Sequence, residues 1–73
     1  MTDEKKIALI ADVMEVDETE LTSQTVLSDL DAWDSIAVLS FIAMMDDEFH
    51  KIVKGAVVKS QNTVGDLMKL MEE

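Results

Sequence analysis

Ser35 is the residue of this chain whose position is best suited to carry a chemical group. It follows Asp34 at the point where a loop gives way to a helical apolar pattern. Backbone N–H groups without partners and the helix dipole favour an attached or bound phosphate at such a helix start. Asp34 would cap the helix and leave the Ser35 hydroxyl pointing outward. On the dipeptide alone, an ordinary helix start is the simpler interpretation.

The acidic residues Asp29, Asp31 and Asp34 raise the possibility of a calcium-binding EF-hand loop. Such a loop needs Gly at its sixth position and Glu at its twelfth, and here Asp34 and Ser40 occupy them. His50 is the single histidine and the chain has no Cys, so a zinc site lacks its usual ligands. His50 is better explained as a residue at a helix end. We therefore predict no metal site, and no residues form a nucleophile with its base.

Helical periodicity accounts for the segments on either side of the loop that precedes Ser35. The first predicted helix has Thr2 or Asp3 as its N-cap and ends near Val16. The second begins after Asp34 and carries an apolar stripe that should face the core. That stripe consists of Val38, Phe41, Ile42, Met45 and Phe49.

Residues 17–34 form a long connection without a sustained period. Connections of this length are usually functional or disordered, but five apolar anchors predict an ordered loop that crosses the core. These anchors are Leu21, Val26, Leu27, Leu30 and Trp33. We also predict a single turn between Leu27 and Leu30.

Two further helices are predicted in the last third of the chain. Residues 56–60 suggest one short helix after Gly55. The last helix should begin at Thr63, with Asp66 three residues later in a capping-box position. Its expected buried face comprises Val64, Leu67, Met68 and Met71. The chain is therefore predicted to be all-α.

Acidic residues dominate the composition. Sixteen Asp and Glu residues and six Lys give a net charge of −10, which disfavours binding to nucleic acid or to anionic membrane surfaces. Apolar runs such as Ile7–Ala11 are far too short for a membrane span or a signal peptide. With the absence of Cys, this favours a cytoplasmic protein. We expect residues 1–73 to form one domain and the protein to be a monomer.

Taken together, these features resemble the acyl carrier protein family, which includes the peptidyl and D-alanyl carrier proteins. The shared pattern is the Leu27/Leu30 step, Asp34-Ser35-Ile36 at the start of the second helix, Phe49 at its end, and Thr63-Val64 at the start of the fourth. The resemblance implies a small four-helix bundle with a long loop between helices 1 and 2 and a short third helix.

The resemblance also implies a function. Ser35 would receive 4′-phosphopantetheine from coenzyme A through a phosphopantetheinyl transferase, and the thiol of this arm would hold the cargo as a thioester. Asp34 would cap the helix beside the attachment site. The expected partners are that transferase and the enzymes that load or transfer acyl or aminoacyl groups. The protein itself would not be an enzyme.

Departures from the family pattern favour a carrier of a specialised biosynthetic pathway. Carriers of fatty-acid synthesis usually have acids at the second and fifth positions after the serine, where this chain has Ala37 and Ser40. Lys54 and Lys59 replace acids that are usual around the third helix, and Trp33 replaces a smaller residue.

A second apolar row lies beside the core stripe of the second helix and could contact a partner. It consists of Ile36, Leu39 and Ala43, and it leads to the acidic pair Asp46 and Asp47. These five residues are the predicted partner-binding surface, with the acids attracting basic partners. The alternative function from a different class is an unmodified acidic helical adaptor that uses the same row to bind a basic or amphipathic partner.

Overall fold

The computed structural model describes residues 2–71, and within this range the regular structure is entirely helical. The four α-helices are α1 (Asp3–Met14), α2 (Ser35–Phe49), α3 (Gly55–Lys59) and α4 (Val64–Leu70). Two single turns of 3-10 helix, Glu18–Glu20 and Leu27–Asp29, lie in the connection between α1 and α2. The predicted all-α fold with a long first connection and a short third helix is confirmed.

Helix α1 starts at the predicted cap and ends two residues earlier than predicted. The Thr2 hydroxyl accepts a hydrogen bond from the Lys5 N–H at 3.2 Å, so Thr2 is the N-cap. Glu15 adopts the left-handed conformation with φ of 57°. The N–H groups of Glu15 and Val16 then return to the carbonyls of Asp12 and Ala11 at 3.1 and 3.0 Å. This Schellman arrangement stops the helix before Val16.

The connection between α1 and α2 is ordered and held by four of its five predicted anchors. Leu21 and Leu27 are buried, and Leu30 and Trp33 pack against the core from partly buried positions. The prediction for Val26 is wrong, because its side chain is 41% exposed. Val26 acts through its backbone instead, forming an isolated antiparallel bridge with Thr63.

Backbone hydrogen bonds join this connection to the start of α4. The Leu27 N–H donates to the Asn62 carbonyl and the Val64 N–H to the Thr25 carbonyl, both at 2.9 Å. The Gly65 N–H donates to the Ser23 carbonyl at 2.8 Å. Through these bonds the loop satisfies N–H groups in the first turn of α4, which have no partner within the helix.

The core lies between α1, α2 and α4, with α3 packed against α2. From the predicted α2 stripe, Val38, Phe41 and Met45 are buried, whereas Ile42 and Phe49 are partly buried. The predicted buried face of α4 is confirmed in full, as Val64, Leu67, Met68 and Met71 are all buried.

Reciprocal hydrogen bonds fix the start of α4. The Asp66 N–H donates to the Thr63 hydroxyl at 3.2 Å, and an Asp66 carboxylate oxygen accepts from the Thr63 N–H at 3.1 Å. The predicted capping box is therefore present. At the other end of α4, the Lys51 ammonium donates to the Leu70 carbonyl at 2.9 Å.

Candidate functional site

Asp34 is the N-cap of α2, as predicted. Its Oδ1 accepts a hydrogen bond from the Ala37 N–H at 2.9 Å, and its carbonyl accepts from the Val38 N–H at 3.0 Å. The N–H groups of Ser35 and Ile36 precede the first intrahelical bond and stay available. Ser35 itself is exposed. Its hydroxyl thus stands in solvent beside two free backbone donors at the positive end of a 15-residue helix.

Trp33 fixes the chain immediately before this helix start. Its indole meets the ring of Phe41 edge-on, with the ring centroids 6.2 Å apart and an interplanar angle of 77°. Phe41 is fully buried in the middle of the α2 core face. The backbone N–H of Trp33 also donates to the Leu30 carbonyl at 3.1 Å. The direction from which the chain enters α2 is therefore set by core packing two turns away.

An open cleft of about 390 Å³ borders Ser35. It is lined by Trp33, Asp34, Ser35, Val38 and Lys59. Four of these residues belong to the start of α2 or the chain just before it, and Lys59 is the last residue of α3. The packing of α3 against α2 thus brings a cation to the same cleft as the serine.

The face of α2 that points away from the core carries the predicted partner-binding residues. Ile36 is 73% exposed and Leu39 is 66% exposed, and Ala43, Asp46 and Asp47 are exposed as well. At 3.6 residues per turn the five side chains fall within an arc of about 100°. The structure therefore brings the apolar row and the acidic pair together on one continuous surface.

Neither a metal site nor a membrane span is found in the part of the chain that the structure describes. Within residues 2–71, no group of three or more His, Cys, Asp or Glu side chains is arranged to hold a metal ion. In the same range, no helix is long and apolar enough to cross a bilayer.

Comparisons with known proteins identify the family. Residues 7–71 match the family model described as the phosphopantetheine attachment site. The chain is also 38% identical over 65 residues to the acyl carrier protein of Lactobacillus acidophilus, an alignment that covers 88% of this chain and 80% of that protein. The chain belongs to the acyl carrier protein family. No solved structure matched it.

Membership of the acyl carrier protein family settles the class of function. The protein is a carrier that bears phosphopantetheine, and it is not an enzyme. Its partners include the enzyme that attaches the arm and enzymes that handle acyl groups. The alternative of an unmodified adaptor does not account for the phosphopantetheine family match.

One expectation about this acyl carrier protein needs correction. The lack of acids at Ala37 and Ser40 counts, on the sequence alone, as a departure from the fatty-acid carriers, but Ala37 is only 3% exposed and Ser40 is half-buried. Ala37 lies on the buried side of α2, facing away from the row of Ile36 and Leu39. The lack of an acid at Ala37 is therefore a matter of core packing in this chain and removes no charge from its outer face.

Sequence reasoning did not predict that Lys59 and Ser35 line the same cleft. The two residues are far apart in sequence, and the sequence around Lys59 indicates only a lost acidic position of the third helix. A local motif could not have revealed the pairing, because it depends on how α3 packs against α2. The single signal available in the sequence was the isolated cluster of Lys residues after an acidic stretch.

Proposed function

We propose that this acyl carrier protein holds an activated acyl or aminoacyl group as a thioester on a 4′-phosphopantetheine arm attached to Ser35. The observation that carries the proposal is the position of Ser35, exposed in the first turn of α2, directly after its capping residue and at the edge of an open cleft. Attachment forms a bond between Ser35 Oγ and the phosphate of the arm, breaks the pyrophosphate bond of coenzyme A, and releases the nucleotide part of coenzyme A together with the proton of the hydroxyl.

The residues around Ser35 fit such a group. The N–H groups of Ser35 and Ile36 lie at the positive end of the α2 dipole, an arrangement that suits a phosphate. Asp34 keeps its carboxylate on the Ala37 N–H, and so it fixes the helix start. When bound, the arm supplies the thiol that carries the cargo.

The other serines of the chain are poorer candidates. Ser23 and Ser28 are exposed but lie in the connection between α1 and α2, and neither stands at the start of an α-helix. Ser40 is half-buried in the second turn of α2. Ser60 follows the last residue of α3, and its hydroxyl donates to the Val57 carbonyl at 2.7 Å. None of these four combines exposure with the start of a long helix.

Mass spectrometry of the intact protein tests the attachment site. The purified protein is incubated with coenzyme A, magnesium and a broad-specificity phosphopantetheinyl transferase. We expect one phosphopantetheine mass on the wild type and on the control variant Ser28→Ala, which removes another exposed serine. Ser35→Ala should gain none. A full mass gain on Ser35→Ala would reject the assignment.

The outward face of α2 is the proposed surface for partner enzymes. Ile36 and Leu39 supply exposed apolar area next to Ser35, and Ala43 leaves room for a close approach along the same row. Asp46 and Asp47 extend this face with negative charge. A partner that carries basic residues beside an apolar groove fits this surface.

We further propose that the carrier serves a specialised pathway rather than housekeeping fatty-acid synthesis. The support is the positive charge of Lys54 and Lys59, both exposed at the two ends of α3. A partner that uses basic residues to bind an acidic third helix would be repelled there.

The specialised pathway is tested by comparing turnover with a housekeeping carrier. Both proteins are loaded with the same acyl group and offered to one ketosynthase of fatty-acid synthesis. We expect slower turnover of this carrier, with partial recovery in the variant Lys54→Glu. Equal turnover of the two carriers would contradict the proposal.

A further inference from the structure

Lys59 is the cationic residue of the cleft beside Ser35. The other lining residues are Trp33, Asp34, Ser35 and Val38, so Asp34 supplies the negative charge and Lys59 the positive charge of this cleft. The Lys59 side chain is exposed. Among residues 2–71, the structure records no carboxylate within ion-pair distance of its ammonium group.

We propose that Lys59 forms an ion pair with the phosphodiester of the arm and thereby holds the base of the arm in the cleft that Trp33 also lines. This proposal rests on attachment at Ser35. It assigns Lys59 the role of a positioning residue for the arm, distinct from any role in contacting partner enzymes.

The charges in the cleft account for such a pairing. A phosphodiester on Ser35 adds a negative charge next to the Asp34 carboxylate, which already holds the N–H of Ala37. The two free N–H groups of the helix start offset part of this charge. Lys59 supplies a full positive charge on a flexible side chain, and ammonium groups bind phosphate as compact point charges.

The positions of Lys59 and Ser35 indicate where the base of the arm would lie once the ion pair has formed. Lys59 approaches the cleft from α3, whereas Ser35 approaches it from α2, so an ion pair between their groups spans the two helices. The base of the arm would then lie in the cleft that Trp33 and Val38 also line instead of extending directly into solvent. Trp33 is the single tryptophan of the chain, so all tryptophan fluorescence comes from a residue that lines this cleft and also contacts Phe41.

The test compares proteins that carry the arm and differ in one residue. Lys59→Gln removes the charge in the cleft, and Lys59→Arg keeps it. Lys54→Gln is the matched control, since it removes a charge from the other end of α3 without touching the cleft. Mass spectrometry first establishes that each protein carries the arm on Ser35. Failure at this step would reject the proposed function and would be seen before the role of Lys59 is measured.

Two spectroscopic measurements then address Lys59. The ³¹P resonance of the phosphodiester is followed between about 0.01 M and about 1 M salt, a range over which the screening length falls from about 30 Å to about 3 Å. The Trp33 emission is compared with and without the arm. We expect a salt-dependent ³¹P shift and a change in Trp33 emission in wild type, Lys54→Gln and Lys59→Arg, and a clear reduction of both in Lys59→Gln. The same response in Lys59→Gln as in Lys54→Gln would overturn the proposal.

Discussion

The missing side chain of Gly65 lets the loop lie directly against the first turn of α4. A Cβ atom at this position would stand 2.7 Å from the Ser23 carbonyl oxygen, which also accepts the Gly65 N–H. Both contacts are made to the same backbone oxygen of Ser23, so relief of the clash would have to stretch the hydrogen bond. The size of the side chain at position 65 thus controls how closely the loop and α4 approach each other.

Gly65→Ala should therefore lower the free energy of unfolding by about 1–3 kcal/mol, the usual cost of overpacking. Gly55→Ala is the control, because its Cβ would meet only Ile42 Cδ1 at an ordinary 3.8 Å. This second variant should be neutral or more stable by up to about 1 kcal/mol, since it restricts the unfolded chain. Urea unfolding measures both. Equal stability of the two variants would contradict the steric argument.

Predictability differs sharply among individual residues of the site. The caps at Asp34 and Thr63 could be predicted because a cap depends on a few neighbouring residues. The burial of Ala37 could also have been predicted, because it lies four residues before Phe41 on the same helix face. The position of Lys59 in the cleft depends on how α3 packs against α2. No short stretch of sequence contains that information, so this feature required the structure.

Among the helices, α4 shows how one carboxylate makes the stability of the fold depend on pH. Hydrogen bonds from the N–H groups of Thr63 and then of Asn62 hold the pKa of Asp66 below its ordinary value. The native state therefore binds this proton less readily than the unfolded chain. The stabilisation is present above the unfolded pKa, about 3.9 for Asp. It is lost as the pH falls through the folded value.

The variant Asp66→Asn should lose this part of the acid dependence. We expect the melting temperature of wild type to fall more steeply than that of the variant as the pH decreases below about 4. Asp29→Asn is the control, because the Asp29 side chain accepts no backbone hydrogen bond in the described part of the chain. Parallel acid profiles for wild type and Asp66→Asn would refute the role of the cap.

For α2, the testable property is the charge at the far end of its outward face. The change Asp46→Lys with Asp47→Lys should slow loading by the cognate enzyme at low salt, and the difference should shrink as salt screens it. Exposed pairs are worth about 0.2–1 kcal/mol each. Two of them correspond to a loss of between about twofold and about thirtyfold, at about 1.4 kcal/mol per tenfold.

A matched control for this variant keeps the same net charge. Asp12→Lys with Glu18→Lys also moves the chain from −10 to −6, but it changes exposed residues on α1 and the first 3-10 turn. Loading rates are measured for all three proteins at low and high salt. If the control is slowed as much as the α2 variant, the effect belongs to net charge and the proposed surface loses its support.

The ends of helices were harder to predict than the helices themselves. Helix α1 was expected to reach Val16 because apolar residues continue to that point, yet it ends at Met14. The reason is the left-handed conformation of Glu15, which is not a glycine and gives no sequence signal of a C-terminal turn. His50 ends α2 in the same way, with φ of 52°.

At the scale of the whole molecule, a net charge of −10 on 73 residues is a source of internal repulsion. Salt screens this repulsion more in the compact native state, where the charges are closer together. The melting temperature should therefore rise by several degrees between low and high ionic strength. Sodium and potassium chloride should act equally, because screening depends on ionic strength. A rise with one of the two salts alone would instead indicate a specific ion site.

The backbone bridge between the loop and α4 has a consequence for the order of folding. Helix α4 has seven residues, and helices of this length are not stable alone in water. Its first N–H groups find their partners on Ser23 and Thr25, far away along the chain. These bonds close the long chain segment between the loop and α4, and the entropy cost of this closure must be offset by other interactions. The loop and α4 should consequently fold and unfold as one cooperative unit. A change that destabilises the chain ahead of α2 should then also destabilise α4.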